Sequence, residues 1–273
     1  MGATIIGLSK KIYPQAFETR VDINHINLTL PNLAPEFNDY RLVQISDIHI
    51  GTWMNRPRLC EAIDLVNRQH PDLVAITGDF VTYDPERFAD DLTTTLRRLK
   101  SRDGVVAVLG NHDHWSGATA LRKILRASNV TELRNAVYTI HRGKANLNIA
   151  GIDDHMTEFD HLDSVMAKLS PDGAAILLAH VPDFADISMA TGRFDLQISG
   201  HTHGGQVRLP RVGPPFLPRF GRKYPMGYYR IGEMHLYTNR GLGTGEIQVR
   251  LNCRPEITVF TLQSVAAGES KPV

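Results

Sequence analysis

Cysteine is scarce: the 273-residue chain has only Cys60 and Cys253, and neither belongs to a CxxC pair. This excludes a disulfide scaffold, argues against a zinc–thiolate site and favours a reducing compartment. Long apolar runs are also missing, since no segment reaches the roughly 18–20 residues needed to span a bilayer. Excess charge is absent too. Lys and Arg total 30 against 29 Asp and Glu, a net charge of +1. Affinity for nucleic acid or anionic lipid must therefore come from a local patch. Repeats and low-complexity tracts are lacking. The opening MGATIIGLSKK has no basic n-region and no small-residue cleavage site, so it is not read as a signal peptide. Ile6 stands where a myristoylation motif needs Ser or Thr. Two readings of this start stay open: a tail packed on the body, or a short interfacial anchor.

What is present is an ordinary globular composition, 42% hydrophobic and 22% charged, with twelve histidines. Such a length buries a large core without disulfides. The organisation expected is one domain over 18–264, between a tail at 1–17 and another at 265–273. Short runs rich in β-branched residues and leucine, at 41–46, 73–77, 105–109, 176–180 and 196–199, read as buried strands. Between them, Leu59, Ile63 and Val66 share one helical face, as do Phe88, Leu92, Leu96 and Leu99 within 86–100. Leu121, Ile124 and Leu125 repeat the pattern, and so do Leu162, Val165 and Leu169. Residues 18–40 look extended, and 235–262 hold two more strands. Strand–helix alternation with strands at both ends predicts an α/β fold of two packed sheets. The exception is 204–225, which has five prolines, five Lys or Arg, and no acidic residue. It reads as a long surface excursion.

Each of the five strands ends in polar residues. Asp47 and His49 follow the first, Gly78-Asp79 the second, and Gly110-Asn111-His112-Asp113 the third. His180 closes the fourth, and Gly200-His201-Thr202-His203 follows the fifth. Open α/β sheets bind ligands beyond the carboxyl ends of their strands. Convergence of these ends would gather three carboxylates, one amide and five imidazoles on one rim. Asp, His and Asn without thiolate suit borderline to hard divalent ions, with Mn, Fe, Zn, Co or Ni as candidates. Seven candidate ligands exceed the three or four that one ion takes. Two ions sharing a carboxylate use all seven, and would hold a bridging hydroxide and clamp a phosphate.

In that order, DIH, GD, GNHD, a separate His and GHTH resemble the five motifs of calcineurin-like metallophosphoesterases. The resemblance implies a four-layer α-β-β-α sandwich of two mixed sheets, with the active site at the strand C-terminal ends. It implies that Asp47, His49 and His203 bind one ion and that Asn111, His180 and His201 bind the other, with Asp79 bridging. His112 matches the general acid and Asp113 its orienting partner. GHTHGGQVRLP, GPPF, YTNRGLGTG and VRLNCRPEITVFTL are similar to the small bacterial membrane-associated branch of the family. That branch includes phosphodiesterases and UDP-2,3-diacylglucosamine pyrophosphatases. Its members often carry an N-terminal membrane segment; none is seen here, so integral attachment is not expected. The implied activity is phosphodiester or pyrophosphate hydrolysis with two divalent ions, manganese foremost, on a small-molecule or lipid-linked phosphoester. The expected location is the bacterial cytoplasm or the inner-membrane surface. A nucleotide phosphodiesterase or nuclease, and a metal-binding scaffold without turnover, are the alternatives; no long basic groove supports nucleic-acid binding.

Several residues keep two readings. His114 and Trp115 either touch substrate or form a helix-start loop with a packing aromatic. Arg240 suits bidentate phosphate recognition or a salt bridge within the fold. Asp153, Asp154 and His155 either line the cleft or form a turn. In 204–225, Arg208, Arg211, Arg219, Arg222 and Lys223 surround Phe216, Leu217 and Phe220. That mixture suits an anionic lipid surface, or a proline-rich loop packed on the body.

Overall fold

The computed structural model describes residues 20–51 and 53–265. The expected tails at 1–17 and 265–273 lie, but for residue 265, outside the described residues. Two six-stranded mixed sheets face each other. The first has the order β1-β12-β2-β3-β4-β5, built from β1 (Asp22–Leu30), β12 (Glu256–Ser264), β2 (Tyr40–Ile45), β3 (Leu73–Thr77), β4 (Val105–Val108) and β5 (Thr131–Glu132). The second has the order β10-β11-β9-β8-β7-β6, from β10 (Gly227–Ile231), β11 (Met234–Thr238), β9 (Leu196–Ser199), β8 (Ala174–Leu178), β7 (Ala145–Gly151) and β6 (Ala136–Arg142). Helices α1 (Arg56–Asn67), α2 (Ala89–Leu96) and α3 (Asn111–Ala127) cover the first sheet. Short helices α4 (Leu162–Met166) and α5 (Ala185–Ala190) cover the second. This is the expected sandwich of two mixed sheets with flanking helices.

Strands buried on both faces explain why the sequence runs were continuously apolar. In β3, Leu73 and Ala75 point between the sheets while Val74 and Ile76 point at the helices. In β8, Ala174, Ile176 and Leu178 face inward, and Ala175 and Leu177 face outward. The period of two thus survives inside an unbroken apolar run. Gln44 is one of the buried polar residues between the sheets. Its Nε2 donates to Thr77 Oγ1 and to Ser199 O, both at 2.9 Å, joining β2 and β3 to β9 beside the site.

Strand β12 runs antiparallel to β2, pairing Thr258 with Gln44 and Leu262 with Tyr40. Strand β1 lies parallel to β12, with Asp22 opposite Glu256. Three expectations shift. Of the described residues in 18–40, Asp22–Leu30 is strand, followed by a turn and a 3-10 turn over Pro35–Phe37, and Tyr40 already opens β2. The helix expected at 86–100 is a 3-10 turn, Glu86–Phe88, leading into a shorter α2. The helix expected from Leu121, Ile124 and Leu125 begins at Asn111, and a kink at Gly117 (φ 130°) separates its first turns from its apolar stripe. Strands β6 and β10 carry too weak an alternation to stand out in the sequence, and they lie at the two sheet edges.

Candidate metal centre

Each site residue sits just beyond a strand that burial holds in place. Backbone bonds extend the ladder past the strand ends: Asp47 N to Gly78 O (2.9 Å), His49 N to Asp79 O (3.0 Å) and Gly200 N to His180 O (3.0 Å). The chain must then turn at once to aim side chains at one point. Asp47, His49, Asp79, His201 and His203 all adopt positive φ, between 48° and 71°. That conformation costs a non-glycine residue roughly 1–2 kcal/mol, so the fold stores strain at these five positions. Two glycines let the backbones approach. A Cβ on Gly110 would stand 2.7 Å from His180 Nε2, and one on Gly200 would overlap Ser46 and Asp47.

Three overlapping groups of side chains result. Asp47, His49 and His203 offer one set of ligand atoms, and Asp79, His180 and His201 offer another. His49, Asp79 and His112 overlap both. Asp79 Oδ2 lies 3.4 Å from His49 Nε2 and 3.2 Å from His180 Nε2, so one carboxylate oxygen faces both sets. His203 Nε2 is 3.4 Å from Asp47 Oδ1 and 3.2 Å from His49 Nε2. The Asn111 amide is also buried here, at the start of α3.

The second nitrogen of each ring is held from behind. His49 Nδ1 meets Thr82 Oγ1 at 2.9 Å, and His180 Nδ1 meets Thr77 O at 2.7 Å. His201 Nε2 meets Arg219 O at 2.8 Å. A carbonyl can only accept, so it leaves the opposite nitrogen, Nε2 of His180 and Nδ1 of His201, directed at the shared centre.

The buried atoms fit a cation. Among the described residues, Asn111 Oδ1 and His180 Nε2 have no hydrogen-bond partner, although His180 Nε2 lies 3.2 Å from Asp79 Oδ2. Burying such atoms is costly unless something else satisfies them. The charge balance agrees. Burial alone would depress the His180 imidazole, yet the Asp79, Asp47 and Asp154 carboxylates outweigh it and push its pKa up to about 10. Burial, together with that charge, pushes His201 down to about 3. Asp79 is held well below the ordinary carboxylate range, since His180 and His49 overcome its burial. A negative centre lined by nitrogen and oxygen donors, without sulfur, matches divalent ions of the first transition row.

Three expectations need correction. Asp113 does not orient His112. Its Oδ2 accepts from Asp79 N (2.8 Å) and Gly110 N (3.0 Å), and its Oδ1 from Phe80 N (2.8 Å) and Val81 N (3.3 Å). Both oxygens are thus committed to the backbone around Asp79. His112 instead packs edge-on to His49 and Trp115, with ring centroids 4.9 and 5.1 Å away. Its amide donates to Asp79 Oδ1 at 3.0 Å. His114 turns away from the centre, bonding Asp153 Oδ1 at 2.7 Å and stacking on Phe159 at 4.8 Å. Arg240 is likewise engaged within the fold. Its Nε pairs with Glu256 and its Nη2 lies 3.4 Å from Asp22 Oδ2.

Asp153 and Asp154 lie in the loop that leads into a turn over 155–158, and the Asp154 carboxylate acts on His180. Asp153 also binds Arg122 and Arg134, and Asp154 Oδ2 accepts from Thr157 N at 2.8 Å. Arg250 escaped the sequence reading. It is fully buried, donates to the carbonyls of Gly241, Gly243 and Cys253, and reaches His203 Nδ1 at 3.4 Å. An arginine that grips carbonyls leaves no motif, and neither do the carbonyls of Thr77 and Arg219.

The excursion divides in two. Its second half is packed: Lys223 bridges to Asp186 at 2.8 Å, and Tyr224 is buried. Its earlier part, as far as Phe216, exposes Leu209, Val212 and Phe216, the last two by 76% and 73%.

Two packed mixed sheets with this cluster at their strand ends define a metal-dependent phosphoesterase. Residues 40–205 match the family model for the calcineurin-like phosphoesterase, and the chain belongs to that family. It is thereby a metal-dependent phosphoric ester hydrolase. It is 36% identical over 231 residues to the uncharacterized metallophosphoesterase YkuE of Bacillus subtilis (strain 168), covering 84% of this chain and 80% of that protein. It is 32% identical over 238 residues to phosphodiesterase YaeI of Escherichia coli (strain K12), covering 85% and 83%. The fold is similar to that of the Haemophilus influenzae NAD nucleotidase. That match has a TM-score of 0.52 at 13% identity and covers 74% of this chain and 45% of the other.

The Arg240 geometry yields a test. Arg240→Met removes the cation from the buried Glu256 carboxylate, which keeps bonds from Tyr237 and Thr258, so the loss should fall at or below the roughly 3–5 kcal/mol of a broken buried pair. Chemical denaturation should show that loss, while KM for a simple phosphodiester stays within about twofold. A large rise in KM with unchanged stability would restore the substrate-binding role.

Proposed function

We propose that the protein hydrolyses phosphodiesters with two divalent ions, manganese foremost. Asp47, His49 and His203 hold one ion and Asn111, His180 and His201 the other, with Asp79 shared. The observation that supports this most is the position of Asp79 Oδ2, within 3.4 Å of imidazole nitrogens from both sets. When bound, two such ions polarise the phosphoryl oxygens and activate water. The chain's own residues supply the rest. The Asp113 carboxylate fixes the Asp79 turn, Thr82, Thr77 and Arg219 fix the rings, and His112 stands at the mouth. His112 donates its proton to the departing alkoxide oxygen, the step that general acids typically speed by 10²–10⁴-fold. An approaching phosphate anion favours the charged imidazole.

Asp79→Asn should abolish turnover of bis-p-nitrophenyl phosphate and lower bound manganese, measured by elemental analysis. Full activity in that variant would defeat the assignment. His112→Ala should keep its metal yet lose about 10²–10⁴-fold in rate. The loss should shrink for esters with good leaving groups, and a loss independent of leaving group would remove His112 from the proton transfer.

We further propose a lipid-linked substrate, with peripheral contact on anionic membrane. Among the described residues no helix is long and apolar enough to cross a membrane. The support is the exposed trio Leu209, Val212 and Phe216, flanked by Arg211, Arg219 and Arg222. Ile247 joins them, 67% exposed, on a loop bonded to the excursion through Arg208 N to Leu251 O (2.9 Å). Apolar side chains among cations suit an anionic interface. Sedimentation with phosphatidylglycerol vesicles should carry the protein down, and Arg211→Glu with Arg222→Glu should release it. Equal binding by that variant, or none by the wild type, would refute the contact.

A further inference from the structure

Beside the centre lies a second feature that the hydrolytic assignment does not use. A cavity of about 470 Å³ opens on His112 and is lined by Thr82, Tyr83, Asp84, Trp115, Ser116 and Glu246. Its walls are fixed: Thr82 Oγ1 bonds His49 Nδ1, and Ser116 Oγ donates to Thr82 O at 2.9 Å. Asp84 Oδ1 accepts from Arg87 N at 3.2 Å, which anchors that carboxylate at the rim. Two large aromatics stay open to solvent there, Tyr83 at 59% and Trp115 at 60%. The charged side chains in the lining are two carboxylates, and neither lysine nor arginine is among them.

We propose that this cavity receives the departing alcohol of the substrate and selects an alcohol bearing a positive charge, a primary or quaternary ammonium alcohol. The inference rests on the phosphodiesterase reading for its orientation. His112 protonates the leaving oxygen, so the group attached to that oxygen occupies the space His112 opens on. Carboxylates and aromatic faces around one cavity are complementary to a cation. The ring quadrupoles attract it, by about 0.5–1 kcal/mol at exposed sites and about 2 when desolvated. The same two carboxylates repel a leaving group that carries phosphate, such as a nucleotide. Within the lipid-linked class, this favours a phosphodiester with a cationic head group over a nucleotide-linked pyrophosphate.

The chemistry balances as hydrolysis. A water oxygen forms the new P–O bond. The P–O bond to the ammonium alcohol breaks, and its electron pair stays on the alcohol oxygen. His112 gives that oxygen a proton, and the proton lost by water returns the imidazole to its starting state through solvent. The products are a phosphomonoester and the free ammonium alcohol.

The test compares methyl phosphocholine with methyl 3,3-dimethylbutyl phosphate, which replaces the quaternary nitrogen by carbon at equal shape. Wild-type kcat/KM for choline release should exceed that for the neutral alcohol by about 5-fold, the upper end for a cation–π contact at an exposed site. In Trp115→Leu and in Asp84→Asn with Glu246→Gln, the ratio should fall to within about twofold. A second arm needs no turnover. In Trp53→Phe, Trp115 is the sole tryptophan, and choline should perturb its fluorescence at concentrations where 3,3-dimethylbutanol does not. An active enzyme with a ratio near one, or equal perturbation by the two alcohols, would overturn the proposal. Failure to turn over either ester or bis-p-nitrophenyl phosphate would instead remove the phosphodiesterase reading, and the fluorescence arm would then decide the cavity's ligand alone.

Discussion

Everything at the strand ends depends on one electrostatic constraint. Asp47 and Asp79 are fully buried beside one another, and buried carboxylates demand positive charge or many donors. The same carboxylates raise the pKa of the His180 imidazole against its burial. The protein also spends backbone donors on the carboxylates, with His201 N reaching both Asp47 oxygens at 3.0 and 3.1 Å. The left-handed turns at five ligand positions follow, because only a sharp reversal after each strand brings these groups close enough. A bound cation would meet the constraint more fully than a proton, since Asn111 Oδ1 and His180 Nε2 have no hydrogen-bond partner among the described residues.

The two sheets contribute unequally to this arrangement. Asp47, His49, Asp79 and Asn111 extend from β2, β3 and β4 of one sheet, whereas His180, His201 and His203 extend from β8 and β9 of the other. Asp79 reaches across. The packing of Leu42, Ala75 and Val108 against Ile176, Leu178 and Ile198 therefore sets distances in the centre as well as stability. The Gln44 bonds to Thr77 and Ser199 lock the same alignment with directional contacts.

The sequence revealed much of this because its signal was local. A buried strand must be an apolar run, and the candidate ligands close or follow each run within four residues, so both stand together in the sequence. The general position of His112 was legible for the same reason. What escaped was relational. Asp113 stands beside His112 in sequence, but the first turn of α3 points its carboxylate at the Asp79 backbone. Arg240 looked available for phosphate until folding brought Asp22 from the other end of the chain beside it. Arg250, and the carbonyls that fix His180 and His201, act through contacts no spacing rule encodes. The excursion at 204–225 mixed two environments in one composition: Tyr224 is core while Phe216 is open.

The register of the edge strands has a practical corollary. Strand β12 enters beside the centre at Glu256 and leaves at the far end of the sandwich, where Ser264 N bonds Asn38 Oδ1. Strand β1 runs the same way, so Asp22 lies at the centre's end. A reporter placed at Ser264 is thus held a full strand length from the candidate centre, whereas one at Asp22 sits on the centre's side, so the two positions offer a distal and a proximal handle for surface-based binding measurements.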